Sequence, residues 1–97
     1  MRYQIKFFDE ANDDLKRIKA YLRSEVLDAI ETYLRFEPTK TSRSRIKQLR
    51  GMATPQFRLH IGDLRVFYDV TGDTVEIIAI LFKSETNDWL NQEGEKL

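Results

Sequence analysis

Apolar and polar residues alternate at the start of the chain. Tyr3, Ile5 and Phe7 are set against Arg2, Gln4 and Lys6, a period of two that predicts a strand over residues 2–8. The period then changes. Ala11, Leu15, Ile18 and Leu22 recur at helical spacing, with Asp13, Asp14, Lys16, Arg17 and Lys19 on the other side and Asp9 where an N-cap belongs. Ser24 can cap a second helix whose apolar side is Val26, Leu27, Ile30, Tyr33 and Leu34. Phe36-Glu37-Pro38 ends it, because the residue before a proline avoids the α region. A short break near Arg23 therefore predicts an antiparallel helix pair over residues 9–36.

The second half reads as sheet. Thr39–Arg45 is a polar, basic connection, Ile46–Leu49 a short strand, and residues 51–55 a turn region. Phe57–Ile61, Leu64–Val70 and Val75–Phe82 are separated by Gly62-Asp63 and Gly72-Asp73, two-residue loops that predict successive hairpins. Residues 84–92 predict a short terminal helix capped by Ser84. No internal repeat or linker interrupts the chain, and its 97 residues suit one domain spanning residues 1–97.

A two-residue loop at 62–63 sets the register of the first hairpin: Ile61 opposite Leu64, His60 opposite Arg65, Leu59 opposite Val66, Arg58 opposite Phe67, Phe57 opposite Tyr68. One face then collects Phe57, Leu59, Ile61, Leu64, Val66 and Tyr68, a core for the helices to cover. The other collects Arg58, His60, Arg65 and Phe67. Carrying this parity into the last strand adds Val75, Ile77, Ala79 and Leu81 to the core and Glu76, Ile78, Ile80 and Phe82 to the basic face. Two readings of that face stand. It is a solvated surface with salt bridges, such as Arg65 to Asp69 or Glu76, or it is a surface that grips phosphate. Its apolar members, Phe67, Ile78, Ile80 and Phe82, form a patch that monomers rarely leave bare. Either the C-terminal segment folds back over it through Trp89 and Leu90, or a partner docks there.

Charge sharpens this picture. The chain has sixteen basic and sixteen acidic residues and no net charge. Residues 38–68 nevertheless carry seven basic side chains against Asp63 alone, net +6, while residues 69–97 carry two against seven, net −5. A concentrated basic stripe is a footprint for phosphates. The lack of cysteine excludes disulfides and thiolate metal sites and fits a cytoplasmic location. A single histidine makes zinc improbable, and the four glycines lie too far apart for a phosphate-binding loop. No signal-peptide stretch opens the chain, and no run approaches the ~20 apolar residues that span a membrane. Neither a cofactor nor a membrane is expected.

The opening strand with "DEANDDLKRIKAYL", and above all "LRG", "FRLHIGDLRVFYDV" and "VEIIAI" in this order and spacing, resembles the RelE/ParE superfamily of bacterial toxins from type II toxin–antitoxin pairs. The resemblance covers nearly the whole chain. It implies an α+β fold: an N-terminal strand, an antiparallel helix pair, a curved, mainly antiparallel sheet of three or four further strands, and a short C-terminal helix. It also implies a neighbouring antitoxin that wraps the toxin, here expected on Phe67, Ile78, Ile80 and Phe82. RelE-like members cleave mRNA in the ribosomal A site, and ParE-like members poison DNA gyrase.

Metal-independent RNA cleavage needs a 2′-hydroxyl deprotonated, a phosphorane-like charge stabilised and a leaving oxygen protonated. Arg65, in "GDLRVFY", matches the arginine that RelE-like enzymes use in the equivalent strand, and Arg58 lies beside it. Both suit the middle task, because a guanidinium grips phosphate bidentately. Arg43, Arg45, Lys47 and Arg50 are expected to hold the RNA backbone or ribosomal RNA. Asn87 stands where the family's catalytic tyrosine falls, so proton transfer passes to Lys83, or to His60, which otherwise serves as a polar cross-strand partner and RNA contact. The expectation is a metal-independent endoribonuclease that stops translation on the ribosome. Its rivals are a gyrase inhibitor and an inactive member that acts through its antitoxin.

Overall fold

The computed structural model describes residues 1–95. The chain runs β1 (Gln4–Phe7), α1 (Asp9–Arg17), α2 (Ala20–Leu34), β2 (Ile46–Gln48), β3 (Phe57–Ile61), β4 (Leu64–Thr71), β5 (Thr74–Phe82), a 3₁₀ turn at Lys83–Glu85 and α3 (Thr86–Glu95). The strands form one sheet in the order β1-β5-β4-β3-β2. β1 runs parallel to β5, and the other three pairings are antiparallel. The expected α+β architecture is present.

The helices divide earlier than the apolar period suggests. The break lies at Ile18–Lys19, both extended, rather than near Arg23, and Ser24 sits inside α2. Arg23 reaches back from α2: its Nε donates to the Leu15 carbonyl at 2.8 Å and its Nη2 to the Ile18 carbonyl at 3.1 Å. These are acceptors that the end of α1 leaves open. Ile18 and Leu22 both reach the core across the break, so the period runs on and hides it. Asp9 lies in the first turn of α1 rather than capping it, and Phe8 holds the cap position without a side-chain bond.

One face of the sheet packs on the helices. Val26, Ile30 and Leu34 of α2 and Ala11 of α1 join Leu59, Val66, Tyr68, Val75 and Ile77 in a single apolar cluster. The Tyr68 hydroxyl donates to the Pro38 carbonyl at 2.6 Å and ties down the chain leaving α2. Burial pushes that phenol well above its usual pKa.

The first hairpin has the register expected of it, rung for rung. The second does not keep parity. Leu64 pairs with Phe82, Val66 with Ile80 and Phe67 with Ala79, but Tyr68 pairs with Ile77, so Ile78 is an extra residue in β5. A bulge of this kind reverses the faces of everything beyond it. Ile80 therefore enters the helix-side core at 2% exposure, and Leu81 turns to the basic face. Phe82 follows Leu64 to the end of the sheet and is 39% exposed. Phe67 is fully buried, and Ile78 is half-buried. Of the four residues expected to form one exposed antitoxin-binding patch, Phe67 and Ile78 stay together in a covered cluster, while Ile80 and Phe82 leave it.

Beyond the bulge the outer edge of β5 has no strand beside it. The last link to β1 is the Phe8 N–H to the Ile77 carbonyl at 2.9 Å, after which the chain peels into α1. Asp14 of α1, 2% exposed, fills the gap: its Oδ2 accepts the Ile80 N–H at 2.8 Å, and its other oxygen pairs with Arg17. The helical period set this carboxylate on the polar side of α1, and the structure gives it a buried structural role instead. Asp14→Ala leaves a buried N–H without a partner and is expected to lower stability by about 1–3 kcal/mol in urea unfolding, with Asp14→Asn, which keeps an acceptor, losing less. An alanine variant as stable as the parent would show that the bond contributes nothing.

Candidate nucleic-acid interface

The sheet face turned away from α2 is built from two cross-strand rows. Lys47, Arg58, Phe67 and Ala79 form one, and His60, Arg65 and Leu81 the other. The two acids expected to pair with Arg65 are engaged elsewhere. Asp69 accepts from Thr54 Oγ1 and from the Gln56 N–H, both at 2.6 Å, and so clasps the connection entering β3. Glu76 accepts from Thr71 Oγ1 at 2.9 Å. The ion pairs among the described residues are Arg17–Asp14, Arg35–Glu31 and Lys40–Glu37, none of them on this face. The salt-bridged reading of the basic face therefore does not hold.

Arg65 is 5% exposed. Its Nη1 donates to the Gly62 carbonyl at 2.7 Å and the Leu64 carbonyl at 2.9 Å, which fixes the guanidinium over its own hairpin turn. Nε and Nη2 make no hydrogen bond among the described residues and stay in contact with solvent. One edge of the fork is anchored and the other is free. Burial and the neighbouring Arg58 lower its proton affinity and Asp63 raises it. Arg58 is half-buried beside it.

His60 is held below its ordinary pKa. Burial is the largest cause, followed by Arg65, Arg58, Lys47 and Lys83. Burial and these four cations all favour the neutral imidazole, which can accept a proton.

The remaining basic residues divide. Arg43, Lys47 and Arg50 line a shallow cleft of about 470 Å³ along β2. Ser42 seals part of the β2 edge above it, donating its N–H to the Ile46 carbonyl at 2.9 Å and accepting the Ile46 N–H on its Oγ at 3.3 Å. Arg45 turns to the helix side: its guanidinium lies 5.1 Å from the Tyr33 ring centroid, and Nη1 donates to the His60 carbonyl at 3.1 Å. Sequence order grouped it with Arg43 and Lys47, but the structure separates it from them. Lys83 is exposed at the end of β5, where its N–H donates to the Asp63 carbonyl at 2.7 Å. Asn87 lies one turn further on and shares a cleft with it.

α3 covers the apolar end of this face. The Trp89 ring lies 4.9 Å from that of Phe67, tilted by 34°, and its Nε1 donates to Glu10 of α1 at 3.1 Å. The C-terminal segment folds back through Trp89, one of the two readings of the apolar patch. Glu10, Asp14 and Asp69 all act at long range, and no local pattern singles them out. Among the described residues no three histidine or acidic side chains gather as metal ligands. What the face offers is a set of cations in no ion pair among the described residues, with an imidazole whose neutral form is favoured, chemistry suited to holding a phosphodiester and taking a proton.

His60 is the chain's one histidine, so its titration can be followed without ambiguity. Its ring protons should titrate below the ordinary value of about 6.5 in an NMR pH series. Arg58→Gln should move the midpoint upward without restoring it fully, since burial persists. A midpoint at or above the ordinary value in the parent protein would contradict the electrostatics of the face.

A family model for the ParE toxin of type II toxin–antitoxin systems matches residues 5–86. No curated protein matches the sequence. The fold is similar to the RelBE2 toxin–antitoxin complex of Mycobacterium tuberculosis, with 23% identity over 84% of this chain and 99% of that one and a TM-score of 0.73. It is also similar to an arginine-to-alanine double mutant of the Escherichia coli toxin RelE in the free state, with 18% identity over 99% and 97% of the two chains and a TM-score of 0.74. The archaeal RelE–RelB complex of Pyrococcus horikoshii gives 20% identity over 89% and 100%, with a TM-score of 0.69. At these identities the structural likeness speaks for the fold alone.

Proposed function

The chain belongs to the ParE toxin family of type II toxin–antitoxin systems, and we propose that it stops translation by cutting messenger RNA on the ribosome. The observation that carries this reading is His60 on one sheet face with Lys47, Arg58 and Arg65, cations in no ion pair among the described residues, where burial and these charges favour the neutral imidazole. His60 takes the proton from a ribose 2′-hydroxyl. The freed oxygen attacks the adjacent phosphorus, and a 2′,3′-cyclic phosphate forms as the bond to the 5′-oxygen breaks. The free edge of Arg65, with Arg58, holds the extra negative charge of the phosphorane. Lys83 gives a proton to the departing 5′-oxygen. Arg43, Lys47 and Arg50 carry the flanking RNA backbone along β2. We assign the base role to His60 rather than Lys83, because burial and the nearby cations favour its unprotonated form. A cognate antitoxin holds the toxin silent, as toxin–antitoxin complexes are among the structures it is similar to.

One observation favours a second reading, a gyrase poison that binds without catalysis: Asn87, an amide, stands where RelE-like enzymes carry a tyrosine. Expression of the chain alone, with pulse-labelling of protein and DNA synthesis, separates the two. Prompt loss of protein synthesis with DNA synthesis continuing supports cleavage, and early loss of DNA synthesis supports gyrase.

In a purified ribosome assay, Arg65→Ala is expected to slow cleavage by about 10²–10³-fold, as for loss of one group that stabilises transition-state charge. His60→Ala should remove the limb of the pH–rate profile that rises through the depressed histidine pKa, while the parent loses activity as pH falls through it. Full cleavage by both variants would end this assignment.

A further inference from the structure

Between the Gly62-Asp63 turn and the start of α3 lies a cleft of about 510 Å³, lined by Asp63, Phe82, Lys83, Ser84 and Asn87. Its walls are fixed by one main-chain bond and two between side chains and main chain. Lys83 N–H donates to the Asp63 carbonyl at 2.7 Å, Phe82 N–H to Glu85 Oε1 at 3.0 Å, and Thr86 Oγ1 to the Lys83 carbonyl at 2.9 Å. The cleft adjoins the basic face at the Gly62-Asp63 turn: Asp63 lines it, and the neighbouring Gly62 carbonyl holds Arg65 Nη1 at 2.7 Å. Phe82 offers it an exposed aromatic side chain. Asp63, exposed and in no ion pair among the described residues, is the lone acid between residues 38 and 68. The turn explains Gly62, whose φ is +55°, but asparagine would serve the turn as well as aspartate. An acid in the middle of a phosphate-binding surface opposes the binding of phosphate there, so its charge points to a different part of the ligand.

We propose that this cleft binds a nucleobase next to the cleaved phosphate and that Asp63 makes it prefer guanine. The inference rests on the RNA-cutting reading of the same face. An ionised carboxylate offers acceptors only. Among the four bases, guanine alone presents two adjacent donors, N1–H and the N2 amino group, on its Watson–Crick edge. Adenine and cytosine set their amino group beside a ring nitrogen whose lone pair faces the carboxylate, and uracil flanks its single N–H with two carbonyls. Phe82 supplies an apolar surface for the base, which any base can use, and the Asn87 amide can donate to the guanine O6 or N7. Selectivity therefore falls to Asp63.

The test uses the isolated toxin and needs no ribosome. NMR titrations with 5′-GMP, 5′-AMP, 5′-CMP, 5′-UMP and inorganic phosphate should show GMP binding about tenfold more tightly than the other nucleotides, with the largest backbone shifts at Phe82, Lys83 and Asn87. Asp63→Asn keeps the turn and should remove the preference while leaving inorganic phosphate affinity unchanged or higher. Equal affinity for the four nucleotides, or a GMP preference that survives Asp63→Asn, overturns the proposal. A toxin that cleaves mRNA with no base preference overturns this inference and leaves the catalytic one standing. GMP selectivity in a chain that never cuts RNA supports the cleft and sinks the cleavage reading alone.

Discussion

Opposite Phe67, β5 carries one residue more than β4, and Asp14 holds the strand on the far side of that point. Much of the working face depends on this pair of features. The extra residue rotates the end of β5, so Ile80 locks into the core under the helices and Leu81 comes up beside Arg65 and His60. The carboxylate keeps the rotated strand in place where β1 no longer borders it. A buried N–H left alone would favour slippage toward water, and the register beyond the bulge would loosen. The position of Lys83, the next residue but two after Leu81's neighbour Ile80, follows from the same anchoring.

A second constraint is the deployment of acidic side chains. Sixteen acids balance sixteen bases in the chain, yet among the described residues the basic face is in no ion pair. Asp14, Asp69 and Glu10 accept hydrogen bonds from a strand amide, a loop and the Trp89 indole. The carboxylates that hold the scaffold together are thereby withheld from the arginines. The charges of Lys47, Arg58, Arg65 and Lys83 add to burial, the larger cause, in weakening the hold of His60 on its proton. Anchoring Arg65 by Nη1 to two carbonyls preorganises its free edge, which limits the reorganisation that phosphate binding would require.

α3 completes the surface by dividing it. Trp89 on Phe67 closes the apolar end, and the 3₁₀ turn before it sets Lys83 and Asn87 at the margin of the basic end. The face is therefore polar where it is open and apolar where it is covered.

Local patterning alone determined the elements, the first hairpin's register and the gathering of Arg58, His60 and Arg65 on one face. Period-two alternation and a two-residue glycine turn leave little freedom for side chains to change sides. It did not reveal the helix break at Ile18, because both sides of the break reach the same core. Nor did it reveal the bulge at Ile78: residues 77–82 are apolar throughout, so either parity satisfies the pattern, and the choice falls to the packing of Ile80 and the bond from Asp14, 66 residues away in sequence. Arg45's turn toward Tyr33 and the engagement of Asp69 with Thr54 and Gln56 are likewise contacts between distant segments. The sequence by itself determined which charged and apolar side chains share a face of the first hairpin, since charge and periodicity are written residue by residue. Only the tertiary structure decided which cations stay unpaired and which apolar side chains stay exposed, because both depend on partners that folding alone brings within reach.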